Sequence, residues 1–214
     1  MKIKFANLVS LLIIIVSFGI ALYFYPRMGE TMVSHWGITG EPDGYMSKEW
    51  ALFFFPILMM VFTAMFYLIP KIDPLKANVE SFRKYFDGFI IVFEIFFLYV
   101  YILTIAFNLG YEFSMLTLLM PAFAGLFYYM GIMIGQAKRN YFIGIRTPWT
   151  LANDKVWDKT HRLGGILYKL SALIFLLTIF LPATGFFLFL TYIIGSSLWL
   201  MIYSYLEFRK ESKI

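Results

Sequence analysis

Six long apolar stretches limit what this chain can become. The first, residues 5–25, has no charged side chain, and at about 20 residues it is long enough to cross the hydrocarbon core of a bilayer as a helix. Comparable stretches follow at about 50–69, 88–109, 114–135, 166–181 and 186–206. Composition agrees: 61% of residues are hydrophobic, 14% are charged and mean hydropathy is +0.75, more apolar surface than a soluble core of this size hides. The expected fold is an all-α integral membrane protein with six transmembrane helices. The basic start at Lys2 and Lys4 resembles that of a signal peptide, but the apolar run is too long and Pro26-Arg27-Met28 offers no small-residue cleavage site, so it reads as a retained first helix. Pro56 is a possible kink in the second span.

Lys and Arg near span ends are retained on the cytoplasmic side, and their distribution sets the orientation. With both termini cytoplasmic, sixteen of the eighteen Lys and Arg fall inside, and only Arg27 and Lys48 fall outside. The outer segments carry five acids, Glu30, Glu41, Asp43, Glu49 and Glu112. Such a basic inner face suits anionic membrane lipids as partners. The same rule accounts for the charge without nucleic acid, and no nucleic-acid recognition motif accompanies it.

The longest polar interruption, residues 138–165, reads KRNYFIGIRTPWTLANDKVWDKTHRLGG and holds six Lys or Arg, one of two His and two of five Trp. Thr147 followed by Pro148 suits a helix N-cap with proline in the first helical position. Trp149, Ala152, Val156 and Leu163 then recur at roughly helical spacing, with Lys155, Asp158, Lys159 and Arg162 largely on another side. A short amphipathic helix on the cytoplasmic interface is expected between the fourth and fifth spans. Trp149 and Trp157 would anchor it, and Gly164-Gly165 would end it. Arg146 either grips a phosphate or carboxylate with its planar fork or snorkels to headgroups. His161 either titrates in a functional role or caps carbonyls at a helix end.

The outer polar segment, about residues 26–48, carries HWGITGEPDGY. Its Pro and Asp-Gly suggest a tight turn presenting Trp36 and Tyr45 as a docking surface for an apolar peptide. His35 with Glu41 and Asp43 offers metal-ligand chemistry, but the second His lies on the opposite face, and no metal is expected. Within the third span Glu94 is a rare intramembrane acid. It invites three readings: a buried pair with Lys169, a proton- or ligand-linked role, or snorkelling. Gly131 and Gly135, four apart, suit close helix packing.

The block containing Asn140, the octapeptide Gly144-Ile145-Arg146-Thr147-Pro148-Trp149-Thr150-Leu151, then Val156-Trp157 and Thr160-His161-Arg162, looks like the signature of SdpI-type immunity proteins. The outer segment, with His35-Trp36, Gly40, Pro42-Asp43-Gly44-Tyr45 and Ser47-Lys48, resembles the short domain of unknown function that commonly precedes that signature. Three units are expected: residues 1–70 with the outer loop, 71–109 with the basic inner loop and third helix, and 110–214 as the signature-bearing unit. The resemblance implies a bacterial plasma-membrane protein that protects its producer from a secreted antimicrobial peptide toxin. It also implies possible toxin sensing through the inner loop and a possible cytoplasmic protein partner.

The alternative is a membrane enzyme or transporter acting on a lipid or small amphiphile, with Arg146, His161, Arg162 and Asp158 as a polar cluster and Glu94 as a buried titrating group. The sequence contains no hydrolase serine motif, zinc-protease motif or phosphate-cradling glycine loop. Without Cys it has no thiol nucleophile or thiolate metal site, and no cofactor is expected.

Overall fold

The computed structural model describes residues 5–180 and 182–212. Lys2, Lys4, Lys213 and Leu181, which enter the expectations above, lie outside the described residues. The chain order is α1 (Phe5–Phe24), a 3-10 turn (Tyr25–Arg27), β1 (Thr31–Trp36), β2 (Pro42–Ser47), α2 (Lys48–Ile72), α3 (Lys76–Ser81), α4 (Arg83–Asn108), α5 (Met115–Gln136), α6 (Pro148–Ala152), α7 (Asp154–Thr178) and α8 (Pro182–Glu211). Five helices, those of α1, α2, α4, α5 and α8, are long and apolar enough to cross a membrane. Pro56 is buried inside α2 and the helix continues through it.

Three apolar clusters join the helices. Ala21, Met28, Met32, Ala51, Leu52, Tyr101 and Ile105 tie α1 and the hairpin to α2 and α4, with the buried Tyr101 hydroxyl donating to the Leu52 carbonyl at 2.8 Å. Phe86, Phe89, Ile90, Phe96, Leu126, Met133 and Ile134 join α4 to α5, and Ile143 of the polar loop packs on this cluster. Met120 and Ala124 of α5 meet Ala172 and Phe175 of α7 and Phe189 of α8.

The expected end of the helix at Gly164-Gly165 is not found: both residues are buried inside a continuous α7. Each glycine costs a helix about 1 kcal/mol relative to alanine, but here it lets α7 lie against α5. A Cβ on Gly165 would stand 2.8 Å from the Gly131 carbonyl oxygen, and one on Gly131 would stand 2.7 Å from that of Gly165. The expected amphipathic helix is instead two helices separated at Asn153, whose side chain accepts from the Lys155 and Val156 amides and starts α7.

One small β element accompanies the helices. β1 and β2 form an antiparallel hairpin pairing Met32 with Met46 and Val33 with Tyr45. The turn lies at Gly37 to Glu41, where the Gly37 N–H donates to the Glu41 carbonyl at 2.9 Å and Gly40 takes φ +87°. Pro42, Asp43, Gly44 and Tyr45 therefore belong to strand β2, because Gly40 supplies the left-handed backbone conformation that the Asp-Gly pair was expected to supply.

Candidate functional site

Between α5 and α7 the chain folds into a closed loop whose centre is Asn140. This fully buried amide accepts from the Phe142 and Ile143 N–H groups at 2.9 and 2.6 Å and donates to the Lys138 and Ile143 carbonyls, both at 2.8 Å. Two donors and two acceptors on one side chain replace the backbone partners that a coil segment lacks.

The loop then crosses over α7. Gly144 has φ +116°, and a Cβ there would stand 2.3 Å from His161 Nε2, so the position requires glycine on both counts. His161 Nδ1–H donates to the Trp157 carbonyl at 2.9 Å, and Nε2 accepts from the Ile145 N–H at 2.9 Å. Its ring stacks on Trp157, with centroids 3.9 Å apart. Burial pushes the imidazole down to about 4, outweighing the opposing effects of the Trp157 carbonyl and Asp158. The neutral tautomer with its proton on Nδ1 is the one both hydrogen bonds require. Trp157 is itself fully buried and donates from Nε1 to the Ala137 carbonyl at 2.8 Å, so it anchors α7 to the end of α5 and not to a lipid interface.

Thr147 caps α6 as expected: its hydroxyl accepts from the Thr150 amide and the Thr150 hydroxyl accepts from the Thr147 amide, with Pro148 in the first helical position. The buried Thr150 hydroxyl also donates to the Ile145 carbonyl at 2.8 Å. Trp149 is half-buried against Tyr205 of α8, and the Thr147 hydroxyl lies 3.0 Å from that of Ser204. Arg146 is exposed and donates to the Tyr141 carbonyl at 2.7 Å, bracing the loop it leaves. Thr160 is fully buried, and its hydroxyl has no partner.

Several residues that hold this loop escape the sequence reading. Asp73, 2% exposed, accepts from the Tyr141 N–H at 2.9 Å and from Leu75 N–H at 2.6 Å, and Asn78 donates to the Arg139 carbonyl at 2.8 Å. On the other flank Lys159 reaches Glu207 at 2.8 Å and Glu211 at 2.9 Å. An acid set between Ile72 and Pro74, directly after the second span, is the one visible hint of Asp73.

Of the polar cluster considered for chemistry, His161, Asp158 and Arg162 line one small cavity of about 100 Å³ together with Lys138, while Arg146 is absent from its lining. Both His161 nitrogens are already engaged, and Asp158 pairs with Lys138 at 3.1 Å. No cluster of metal-binding side chains occurs among the described residues.

At the other end of the bundle the hairpin is pinned by Asn108, which accepts from the Val33 N–H at 2.7 Å and donates to the Val33 carbonyl at 2.9 Å. His35 and Asp43 pair across the strands at 2.5 Å, and a Cβ on Gly44 would collide with His35. Tyr45 is 63% exposed, whereas Trp36 packs edge-on against Phe107 with centroids 5.2 Å apart. Only one of the two expected docking aromatics is thus presented. Gly40 and Pro42 line a cleft of about 410 Å³ with Phe107 and Phe113, rimmed by Glu41 and Glu112.

Glu94 is 1% exposed and its partner is Thr63, whose hydroxyl donates at 2.5 Å; the expected pair with Lys169 does not form. The reason is topological: α7 packs on α5 and α8, and Lys169 lies against Gly131 of α5.

The SdpI/YfhL protein family model matches residues 136–204, and that of a domain of unknown function, DUF1648, matches residues 12–60. The protein named Immunity protein SdpI, from Bacillus subtilis strain 168, is 27% identical over 157 residues, covering 73% of this chain and 72% of that protein. No solved structure matches the chain. The closed loop around Asn140, Gly144 and His161 falls in the segment that resembles the SdpI/YfhL family and the pinned hairpin in the segment that resembles DUF1648, in the order the motifs foretold.

Proposed function

We propose that this protein is a bacterial plasma-membrane immunity protein that protects its host from a secreted antimicrobial peptide toxin. The observation that carries the proposal is the 27% identity, over most of both chains, to a protein named for immunity. In this reading the chain crosses the membrane six times with both termini cytoplasmic, the apolar second half of α7 supplying the fifth crossing. Two features support that topology. Loops assigned to the inside meet at one end of the bundle, through Asp73 with Tyr141, Asn78 with Arg139 and Lys159 with Glu207. The hairpin meets the outer end of α4 through Asn108.

The hairpin with exposed Tyr45 and its adjoining cleft serves as the surface that meets the peptide. The inner loop, held rigid by bonds from α3, α7 and α8, forms a surface for a cytoplasmic partner and for toxin sensing. The test is survival of a toxin-sensitive bacterium expressing the chain and challenged with secreted antimicrobial peptides. Protection at an expression level where an empty vector gives none supports the proposal; equal killing of both strains by every peptide refutes it.

A further inference from the structure

Among the described residues, Glu94 is the one acid buried within a membrane-length helix away from the loops, and its surroundings leave it incompletely satisfied. Oε1 accepts from the Thr63 hydroxyl at 2.5 Å, while Oε2 is buried with no partner; the Ser10 hydroxyl is near enough to the carboxyl to act on it electrostatically. No Lys, Arg or His pairs with it among the described residues. As a carboxylate the group carries an unpaired charge out of water, which is costly. As an acid it has a hydroxyl with no acceptor. Neither state is locked by its neighbours.

A line of polar groups leads from this carboxyl toward the basic end of the bundle. Ser10 Oγ lies 3.2 Å from the Tyr67 hydroxyl, and the Tyr67 ring lies 5.9 Å from the Arg83 guanidinium, which pairs with Asp87 at 2.5 Å. One helical turn before Ser10, the Asn7 side-chain amide oxygen is likewise buried without a partner. Ser and Tyr hydroxyls both donate and accept, as a relay requires. The titratable group that faces the carboxyl is Tyr67 from α2; Arg83 and Asp87 of α4 lie beyond it toward the basic end, and the Tyr129 hydroxyl of α5 abuts Gly88 on that same side. From α1 come the uncharged Asn7 and Ser10.

We propose that Glu94 is a reversible proton-binding site inside the bundle, loaded from the basic end through Tyr67 and Ser10. Loading forms one O–H bond on the carboxyl: Ser10 gives its hydroxyl proton to Glu94 and takes that of Tyr67, and Tyr67 takes one from the aqueous phase, so the relay is unchanged and the aqueous phase loses one proton. The site lies outside both family-matched segments and stands independently of the immunity reading.

Infrared difference spectroscopy of the full chain in lipid bilayers, stepped from about pH 5 to about pH 9, tests it directly. The expected result is a protonated-carboxyl band that disappears on the alkaline step, is lost in Glu94→Gln and is shifted but retained in Glu94→Asp. Ser10→Ala and Tyr67→Phe should keep the band and slow its response to a pH jump. Identical difference spectra for the native chain and Glu94→Gln overturn the proposal. So does a band whose midpoint moves when potassium replaces sodium, since that marks a metal-ion site.

Discussion

His161 Nε2 accepts the backbone N–H of Ile145 across 2.9 Å, so the loop of residues 137–153 is fastened to α7 through a nitrogen that must stay unprotonated. The fastening is cooperative: His161 is oriented by Trp157, Trp157 is anchored by the Ala137 carbonyl, and Gly144 leaves the space the ring fills.

The first prediction concerns pH. His161 holds its proton only below about 4 in the folded protein, against 6.5 as its ordinary value. The unfolded loop therefore binds more protons between those limits, and stability is full above about 6.5 and lost as pH falls toward 4. The total is roughly 3 kcal/mol at 1.36 kcal/mol per pH unit. Thermal unfolding in detergent should show the loss, and a His161→Gln variant should flatten that part of the profile while being less stable at neutral pH.

Gly144→Ala adds a methyl group 2.3 Å from His161 Nε2 and forces an L-residue into φ +116°. The expected cost exceeds about 2 kcal/mol, since strain and displacement of the ring act together. Gly135→Ala, whose Cβ would come no nearer than 4.0 Å to the Gly165 Cα, is the matched control and should cost little. Comparing the two melting temperatures checks this.

Five of the six apolar runs were readable as membrane-length helices because about 20 mostly uncharged residues have few folded fates, and the Thr147-Pro148 cap was readable because its chemistry is local. What was hidden depends on distant partners. Gly164-Gly165 carries a helix-breaking signal that the approach of α5 overrides. Asp43-Gly44 reads as a turn until Gly40 takes that role three residues earlier. His161 and Asn140 stand out by composition, but only the backbone groups they meet reveal that they close the loop. Likewise, nothing local links Asp73 to Tyr141, 68 residues away.

Asp73→Ala removes the acceptor for two amides, Leu75 and Tyr141. Leaving buried donors unpaired costs about 1–3 kcal/mol each. Amide hydrogen exchange should accelerate at Tyr141 and its neighbours, with the hairpin unaffected. Uniform acceleration across the chain would mean that Asp73 supports the whole fold and not the loop.

The last prediction separates the two ends of the molecule. Asn108 holds Val33 by both its N–H and its carbonyl, the one side chain with a double backbone grip on the hairpin among the described bonds. Asn108→Ala leaves the β1–β2 ladder intact but releases its hold on α4, a local loss of about 1–3 kcal/mol. If the hairpin meets the toxin, protection should fall in this variant and in Tyr45→Ala at unchanged membrane abundance, and the exchange rate at Tyr141 should stay as in the native chain. Survival equal to the native chain in both variants would move peptide recognition away from the hairpin and leave the inner loop as the part to dissect.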